Sequence, residues 1–102
     1  MGKKGATVIL EKDFQKEFIR QIKLILPNSI AIKNDANYLQ GFPDWTIIDG
    51  PRVYIFEAKA FKNANRQPNQ AYYINTINAA GGFARFVYPE NMQEVLDEIQ
   101  RS

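Results

Sequence analysis

The sequence of 102 residues contains no cysteine and no histidine. Without these residues the chain has no disulfides, no thiolate nucleophile, no imidazole base and none of the usual zinc ligands. Any hydrolytic chemistry must therefore rest on carboxylates, lysines, hydroxyl groups and a hard cation that prefers oxygen ligands. The sequence also lacks an apolar run of the roughly 18 residues that a membrane span requires. We therefore expect an intracellular, cytoplasmic protein with no membrane partner.

Neither sign of charge dominates, because 13 Lys and Arg against 11 Asp and Glu give a formal net charge of +2. The distribution is less even than the total. Residues 1–66 hold 11 of the basic and 7 of the acidic groups, whereas residues 67–102 hold 2 and 4. The positive field therefore lies on the N-terminal two thirds of the chain, which permits a phosphate-binding face there.

Hydrophobic periodicity indicates a single domain at residues 10–102 after a flexible, basic start at residues 1–9. Proline and glycine separate the elements, and the spacing of apolar residues distinguishes helices from strands. The predicted order is a helix over Leu10–Leu26, strands over Ser29–Lys33, Asp44–Ile48 and Arg52–Ala60, a helix from Pro68 to Gly81-Gly82, a strand over Phe83–Tyr88, and a C-terminal amphipathic helix.

A hairpin through Asp49-Gly50-Pro51 brings two carboxylates together. If Gly50 and Pro51 are its two central residues, Asp44 lies directly opposite Glu57 on the neighbouring strand. Opposed Cβ atoms are about 4.5–5.5 Å apart, and like charges at that distance destabilise the strand pair unless a cation lies between them. Magnesium accepts one or two carboxylates while binding substrate phosphate oxygens, so this pair predicts a magnesium site.

Glu57 and Lys59 share a strand face because side chains alternate along a strand. A charge pair on a strand that is apolar on both faces needs a partner or a function. The alternative interpretation is that Asp44 caps a turn and that Glu57 and Lys59 form an ordinary ion pair on an edge strand.

Pro43-Asp44 followed by Glu57-Ala58-Lys59 resembles the PD-(D/E)xK nuclease motif, and the wider sequence is similar to the free-standing, phage-type VRR-NUC branch. The similarity covers nearly the whole chain, with matching segments at residues 10–15, 41–44, 57–59, 70 and 80–89. This resemblance implies an α/β fold with an αβββαβ core, in which helices flank a mixed central sheet, and an extra C-terminal helix. One departure is Ala58, where the branch often has valine.

The resemblance also implies the roles of individual residues. Asp44, Glu57 and the Ala58 carbonyl would bind Mg²⁺, for which Mn²⁺ would substitute, and Lys59 would contact the attacking water or the scissile phosphate. By the same resemblance Gln70 lies near the metal from the second helix. Gln70 also precedes apolar residues at helical spacing, although that pattern fits a buried amide equally well. No nucleotide cofactor is expected.

Six further residues are candidates for nucleic-acid contact because they lie in the loops around the motif or on a basic stripe of the first helix. They are Lys62, Arg66, Lys12, Lys16, Tyr38 and Gln40. The alternative for the helix stripe is an ordinary solvated face, and the alternative for the loop residues is a polar loop without a function.

The paired carboxylates and the resemblance together predict a metal-dependent endodeoxyribonuclease that hydrolyses DNA phosphodiester bonds. The resemblance adds selectivity for branched DNA or Holliday junctions, 5′-phosphate products and a homodimer. Three alternatives remain at the level of sequence. They are a catalytically silent nucleic-acid-binding module of the same fold, a nuclease subunit of a larger restriction or recombination assembly, and an unrelated interaction protein.

Helical geometry and the resemblance both select Glu11 as a third acidic group, acting on the metal directly or through water. The alternative is that Glu11 only supplies a favourable negative charge at the helix N-terminus. At about 100° per residue Glu11 lies within roughly 60° of the apolar stripe that begins at Phe14, whereas Glu17 lies further round and can pair with Arg20. We predict that Glu11→Gln lowers the cleavage rate at least about tenfold and that Glu17→Gln changes it little. Cleavage rates in magnesium test this assignment. Wild-type rates for both variants, or a loss confined to the Glu17 variant, would reject it.

Overall fold

The computed structural model describes residues 10–102, so the predicted basic start at residues 1–9 lies outside the described residues. Each predicted element is present, and its ends lie within about two residues of the prediction. None of the helices in this part of the chain is long and apolar enough to cross a membrane. The elements are α1 (Glu11–Ile25), β1 (Ile30–Lys33), β2 (Trp45–Asp49), β3 (Arg52–Ala58), α2 (Pro68–Ala79), β4 (Phe83–Val87) and α3 (Met92–Arg101).

The four strands form one mixed sheet in the order β1-β2-β3-β4. β1 pairs with β2 and β2 with β3 in antiparallel fashion, whereas β3 and β4 are parallel. A parallel pair needs a crossover connection, and α2 provides it. The predicted α/β class, element order and mixed sheet are therefore confirmed, and β3 is a central strand with neighbours on both sides.

Helices α1 and α3 cover one face of the sheet. Phe14, Phe18 and Ile22 follow one another at a spacing of four residues, and all three are buried in the core. Phe18 meets Phe56 of β3 edge to face, with ring centroids 4.9 Å apart. Burying one such side chain contributes roughly 1.5–3 kcal/mol, so this layer fixes where β3 lies.

Helix α2 covers the opposite face, but only above β3 and β4. Ile74 packs there against Ile55 and Ala84. The same face continues from the start of β3 across β2 to β1, and within residues 10–102 no helix lies above this part. We refer to its exposed apolar residues, Ile30, Ile32 and Val53, as the open face.

Candidate active site

The observed register brings the two predicted carboxylates together at one end of the hairpin. Trp45 pairs with Phe56, so the next step of the ladder sets Asp44 opposite Glu57, as the two-residue turn predicts. The backbone N–H of Asp44 donates to Glu57 Oε1 at 3.1 Å, and the N–H of Ala58 donates to Asp44 Oδ2 at 3.2 Å. Each carboxylate is therefore held by the backbone of the opposite strand.

A lysine accompanies each carboxylate. Lys59 Nζ lies 3.5 Å from Glu57 Oε2, and Lys33 Nζ lies 3.4 Å from Asp44 Oδ1. Glu57 and Lys59 are only 3% and 8% exposed. This burial on a central strand excludes the alternative of an ordinary ion pair on an edge strand, because a surface pair would remain solvated.

Gln70 supports Glu57 from the start of α2. Its Oε1 accepts the backbone N–H of Gln67 at 3.2 Å, as part of the capping box that begins the helix. With that oxygen engaged, Nε2 points toward the sheet and donates to Glu57 Oε2 at 3.0 Å. The predicted position of Gln70 beside the site is therefore what the structure shows, and the cap determines the orientation of its amide.

Burial, more than any other effect, favours the protonated form of the Glu57 carboxyl group. Loss of water around the carboxylate and, second, the negative charge of Asp44 raise the pKa of Glu57 from 4.5 to about 7. Lys59 and the Asp44 N–H oppose this rise without cancelling it. Neighbouring positive charge therefore does not fully compensate the ionised form of the Glu57 carboxylate.

The oxygen atoms of this site suit a hard divalent cation. Lys59 donates its N–H to Val87 of β4, and in a trans peptide the preceding carbonyl points the opposite way. The Ala58 carbonyl is thus directed toward β2, where the Asp44 carboxylate lies. Two carboxylates and a carbonyl are oxygen ligands of the kind magnesium uses, with water or substrate completing its shell. In residues 10–102 no group of three or more Asp, Glu, His or Cys residues forms a larger cluster.

Comparison with solved structures finds a match to a structure described as a VRR_NUC domain. The TM-score is 0.71 at 18% sequence identity, over 85% of this chain and 94% of that chain. The chain has the fold of a VRR_NUC domain. No family model and no curated protein matches the sequence. At this level of identity the likeness shows the fold, and the chemistry must be argued from the residues themselves.

Glu11 does not occupy the position expected of it in this VRR_NUC fold. The expectation that its side chain faces the core is wrong, because Glu11 is exposed and its Oε2 accepts Gln15 Nε2 at 3.4 Å. Gln15 Oε1 in turn accepts Lys33 Nζ at 2.8 Å, and Lys33 lies beside Asp44. Glu11 is thus linked to the site only through two intervening side chains. Its predicted effect on cleavage stays a prediction.

The loop between β1 and β2 forms one wall of a cavity of about 520 Å³ above the carboxylates, and Gln40 lines this cavity. Gly41 brings the loop against α2. A Cβ at Gly41 would lie 2.4 Å from Asn69 Cβ, and the φ angle of +82° also favours glycine. Tyr38 is 90% exposed and lines a separate depression with Leu39. The structure therefore brings Gln40 into the site but not Tyr38.

The remaining basic candidates flank the candidate site on two sides. Arg66 lies over Phe86, the β4 partner of Glu57, with its guanidinium carbon 4.3 Å from the ring centroid. Its Nη2 donates to the Lys62 carbonyl at 3.1 Å, which draws the loop together while Lys62 stays exposed. Lys12 and Lys16 are exposed on α1, beyond the opposite face of the sheet.

Sequence reasoning missed Lys33 and Gln15, which contact each other beside Asp44. The available signal was slight. Gln15 follows Glu11 by one helical turn, and Lys33 ends the strand that comes before the Asp44 loop.

The raised pKa of Glu57 predicts how stability changes with pH in chelator. Because the folded-state pKa of about 7 exceeds 4.5, the protonated carboxyl favours folding below about pH 4.5, and this contribution is lost as the pH rises through 7. The shift corresponds to about 3 kcal/mol. Glu57→Gln removes the charge, so its melting temperature should exceed that of the wild type by several degrees at pH 8 and match it near pH 5.

Glu94→Gln is the control, since Glu94 is an exposed carboxylate on α3. The control should give a small difference that does not depend on pH. Thermal denaturation in chelator at pH 5, 6, 7 and 8 measures both variants. A Glu57→Gln variant that is less stable than the wild type at pH 8 would make Glu57 a structural ion-pair partner instead.

Proposed function

We propose that this protein is a metal-dependent nuclease that hydrolyses the phosphodiester bonds of DNA. The observation that carries the proposal is the buried Glu57 carboxylate beside Asp44, with Lys59 against it, in a VRR_NUC fold. A purely structural ion pair would not need a second carboxylate within reach. Two adjacent carboxylates, each with a lysine beside it, suit a cation and a phosphate that arrive together.

Asp44, Glu57 and the Ala58 carbonyl would hold magnesium, with manganese as a substitute. When bound, such an ion lowers the pKa of a water molecule and stabilises charge on the phosphoryl oxygens. The protein groups bind and orient the reactants. The Lys59 ammonium, adjacent to Glu57, donates to the attacking water or to a phosphate oxygen, and Gln70 keeps the Glu57 side chain in place.

Lys62 and Arg66 are suited to binding the DNA backbone beside the site. Arg66 is fixed by Phe86 and by the Lys62 carbonyl, so its guanidinium loses little freedom when it binds phosphate. Gln40, on the cavity wall, is placed to contact the nucleotide next to the scissile bond. Selectivity for branched DNA or four-way junctions belongs to the same proposal.

The proposed homodimer finds support in the open face. Its apolar residues lie on the same sheet face as Thr46, and Ile32 pairs with Thr46, two positions after Asp44 in the chain. A second copy that covers the open face would remove this apolar surface from water. It would also bring a second site close to the first, as cutting both strands of a junction requires.

Cleavage assays test the proposed function. Asp44→Asn, Glu57→Gln and Lys59→Ala should each lower the cleavage rate by at least about a hundredfold, because each removes a metal ligand or the positive charge at the phosphate. The substrates are linear duplex, single-stranded, flap and four-way junction DNA, each in magnesium, manganese or chelator. Arg101→Ala, at the far end of α3, is the control and should cleave like the wild type.

The proposed function fails if the folded wild type cleaves none of these substrates in either metal. It also fails if cleavage persists undiminished in chelator or in all three site variants, since the activity would then come from another source.

The dimer has its own test. Ile30→Lys, on the open face, should convert the protein to a monomer, because a buried lysine without a partner is costly. Leu24→Lys is the matched control, as Leu24 is equally exposed but lies on α1, over the other face. Light scattering at tens of micromolar protein measures both. A wild type that is already monomeric, or a dimer that Ile30→Lys leaves intact, contradicts the assignment.

A further inference from the structure

A groove of about 600 Å³ runs between α1 and the β1–β2 edge, on the face of the sheet opposite α2. Ile19 and Trp45 form an apolar floor, and lysines surround it. The argument below uses three of these lysines, Lys12, Lys16 and Lys33. This groove is separate from the cavity above Asp44 and Glu57, which lies toward α2.

The described residues that line the groove include five cations and no carboxylate. Two of these cations have a counter-charge outside the lining. Arg20 makes two hydrogen bonds to Glu17 at 3.0 and 2.8 Å, and Lys33 lies beside Asp44. Within residues 10–102, neither Lys12 nor Lys16 forms an ion pair. Cations without counter-charges attract a polyanion. Lys12 and Lys16 are therefore the residues most ready to bind phosphate.

The aromatic floor of the groove favours single-stranded nucleic acid over a duplex. Lys33 Nζ lies 5.2 Å from the centroid of the Trp45 ring, so a cation already reaches the ring face from the groove. Trp45 Nε1 donates to Gln15 at 2.9 Å, which fixes the ring plane. A base stacked on an aromatic side chain contributes roughly 1–3 kcal/mol, but the bases of a duplex are already stacked on one another. An oriented tryptophan among lysines therefore suits an unpaired base.

Lys33 connects the groove to the candidate active site. Its ammonium lies 2.8 Å from Gln15 Oε1 in the groove and 3.4 Å from Asp44 Oδ1 in the site. We propose that the groove binds a single-stranded segment of nucleic acid, with an unpaired base on Trp45 and phosphates on Lys12 and Lys16, and that Lys33 guides this strand to Asp44. Binding of a single strand in the groove does not depend on catalysis. The guidance of this strand to Asp44 for cleavage rests on the proposed nuclease function.

Trp45 is the one tryptophan of the chain, so its fluorescence reports on the groove directly. The experiment titrates the full chain, in chelator, with a fluorescein-labelled thymidine 12-mer and with a hairpin duplex of equal phosphate count. Tryptophan emission is measured with unlabelled and anisotropy with labelled DNA. We expect saturable quenching by the single strand, with a midpoint that coincides with the anisotropy change, and little quenching by the duplex.

Lys16→Ala tests the lysines of the groove, and Arg101→Ala is the matched control because it removes the same charge from a distant helix end. Lys16→Ala should weaken single-strand binding about three- to tenfold and reduce the salt dependence by about one phosphate contact. Arg101→Ala should leave both unchanged. Both positions are exposed, so neither substitution should prevent folding.

Four results would overturn the inference. The first is the absence of quenching, with or without binding, because no base would then lie on Trp45. The second is equal weakening by both variants, which would make the lysine stripe an ordinary solvated face. The third is equal quenching by the duplex. The fourth is a change in tryptophan emission when the protein alone is concentrated, which would show that a second copy covers the groove. Quenching without cleavage of any substrate would refute the proposed nuclease function and support single-strand binding in the groove. Cleavage without quenching would support the nuclease function and refute binding in the groove.

Discussion

The rest of the structure depends on one unfavourable contact, the burial of the Glu57 carboxylate beside Asp44. Burial of the Glu57 carboxylate and, second, its repulsion by Asp44 raise the pKa of Glu57. The buried ammonium of Lys59 offsets only part of this rise. Such an arrangement persists because the surrounding core holds it, and the divalent cation that we propose would supply the missing positive charge.

The sheet topology makes this contact possible. β3 is central, with α1 and α3 on one face and α2 on the other, so its last residues are buried on both sides. The hairpin supplies Asp44 from one neighbouring strand, and the parallel β4 takes the N–H of Lys59 and leaves the Ala58 carbonyl directed at Asp44. The crossover helix delivers Gln70. The groups of the candidate site thus come from the end of β3, from the residue before β2 and from the start of α2.

The sequence predicts most of this site but not all of it. A two-residue turn fixes the register of the hairpin, which is why the pairing of Asp44 with Glu57 could be derived. The long loop between β1 and β2 fixes no register, so the approach of Lys33 to Asp44 could not be derived. For Glu11, the helical angle predicts on which side of α1 the side chain lies, but it does not predict whether the side chain is buried. The first core residue of α1 is Phe14, and one turn earlier the side chain is exposed.

The central claim is that the fold holds Glu57 partly protonated until a divalent cation is bound. Calorimetric titration of Mn²⁺ at pH 6.5 in two buffers of different ionisation enthalpy tests it most directly. The account predicts saturable binding at one site with release of a substantial fraction of a proton per ion, and loss of binding in Asp44→Asn. Binding that releases no proton, or that survives unchanged in Asp44→Asn, would contradict it.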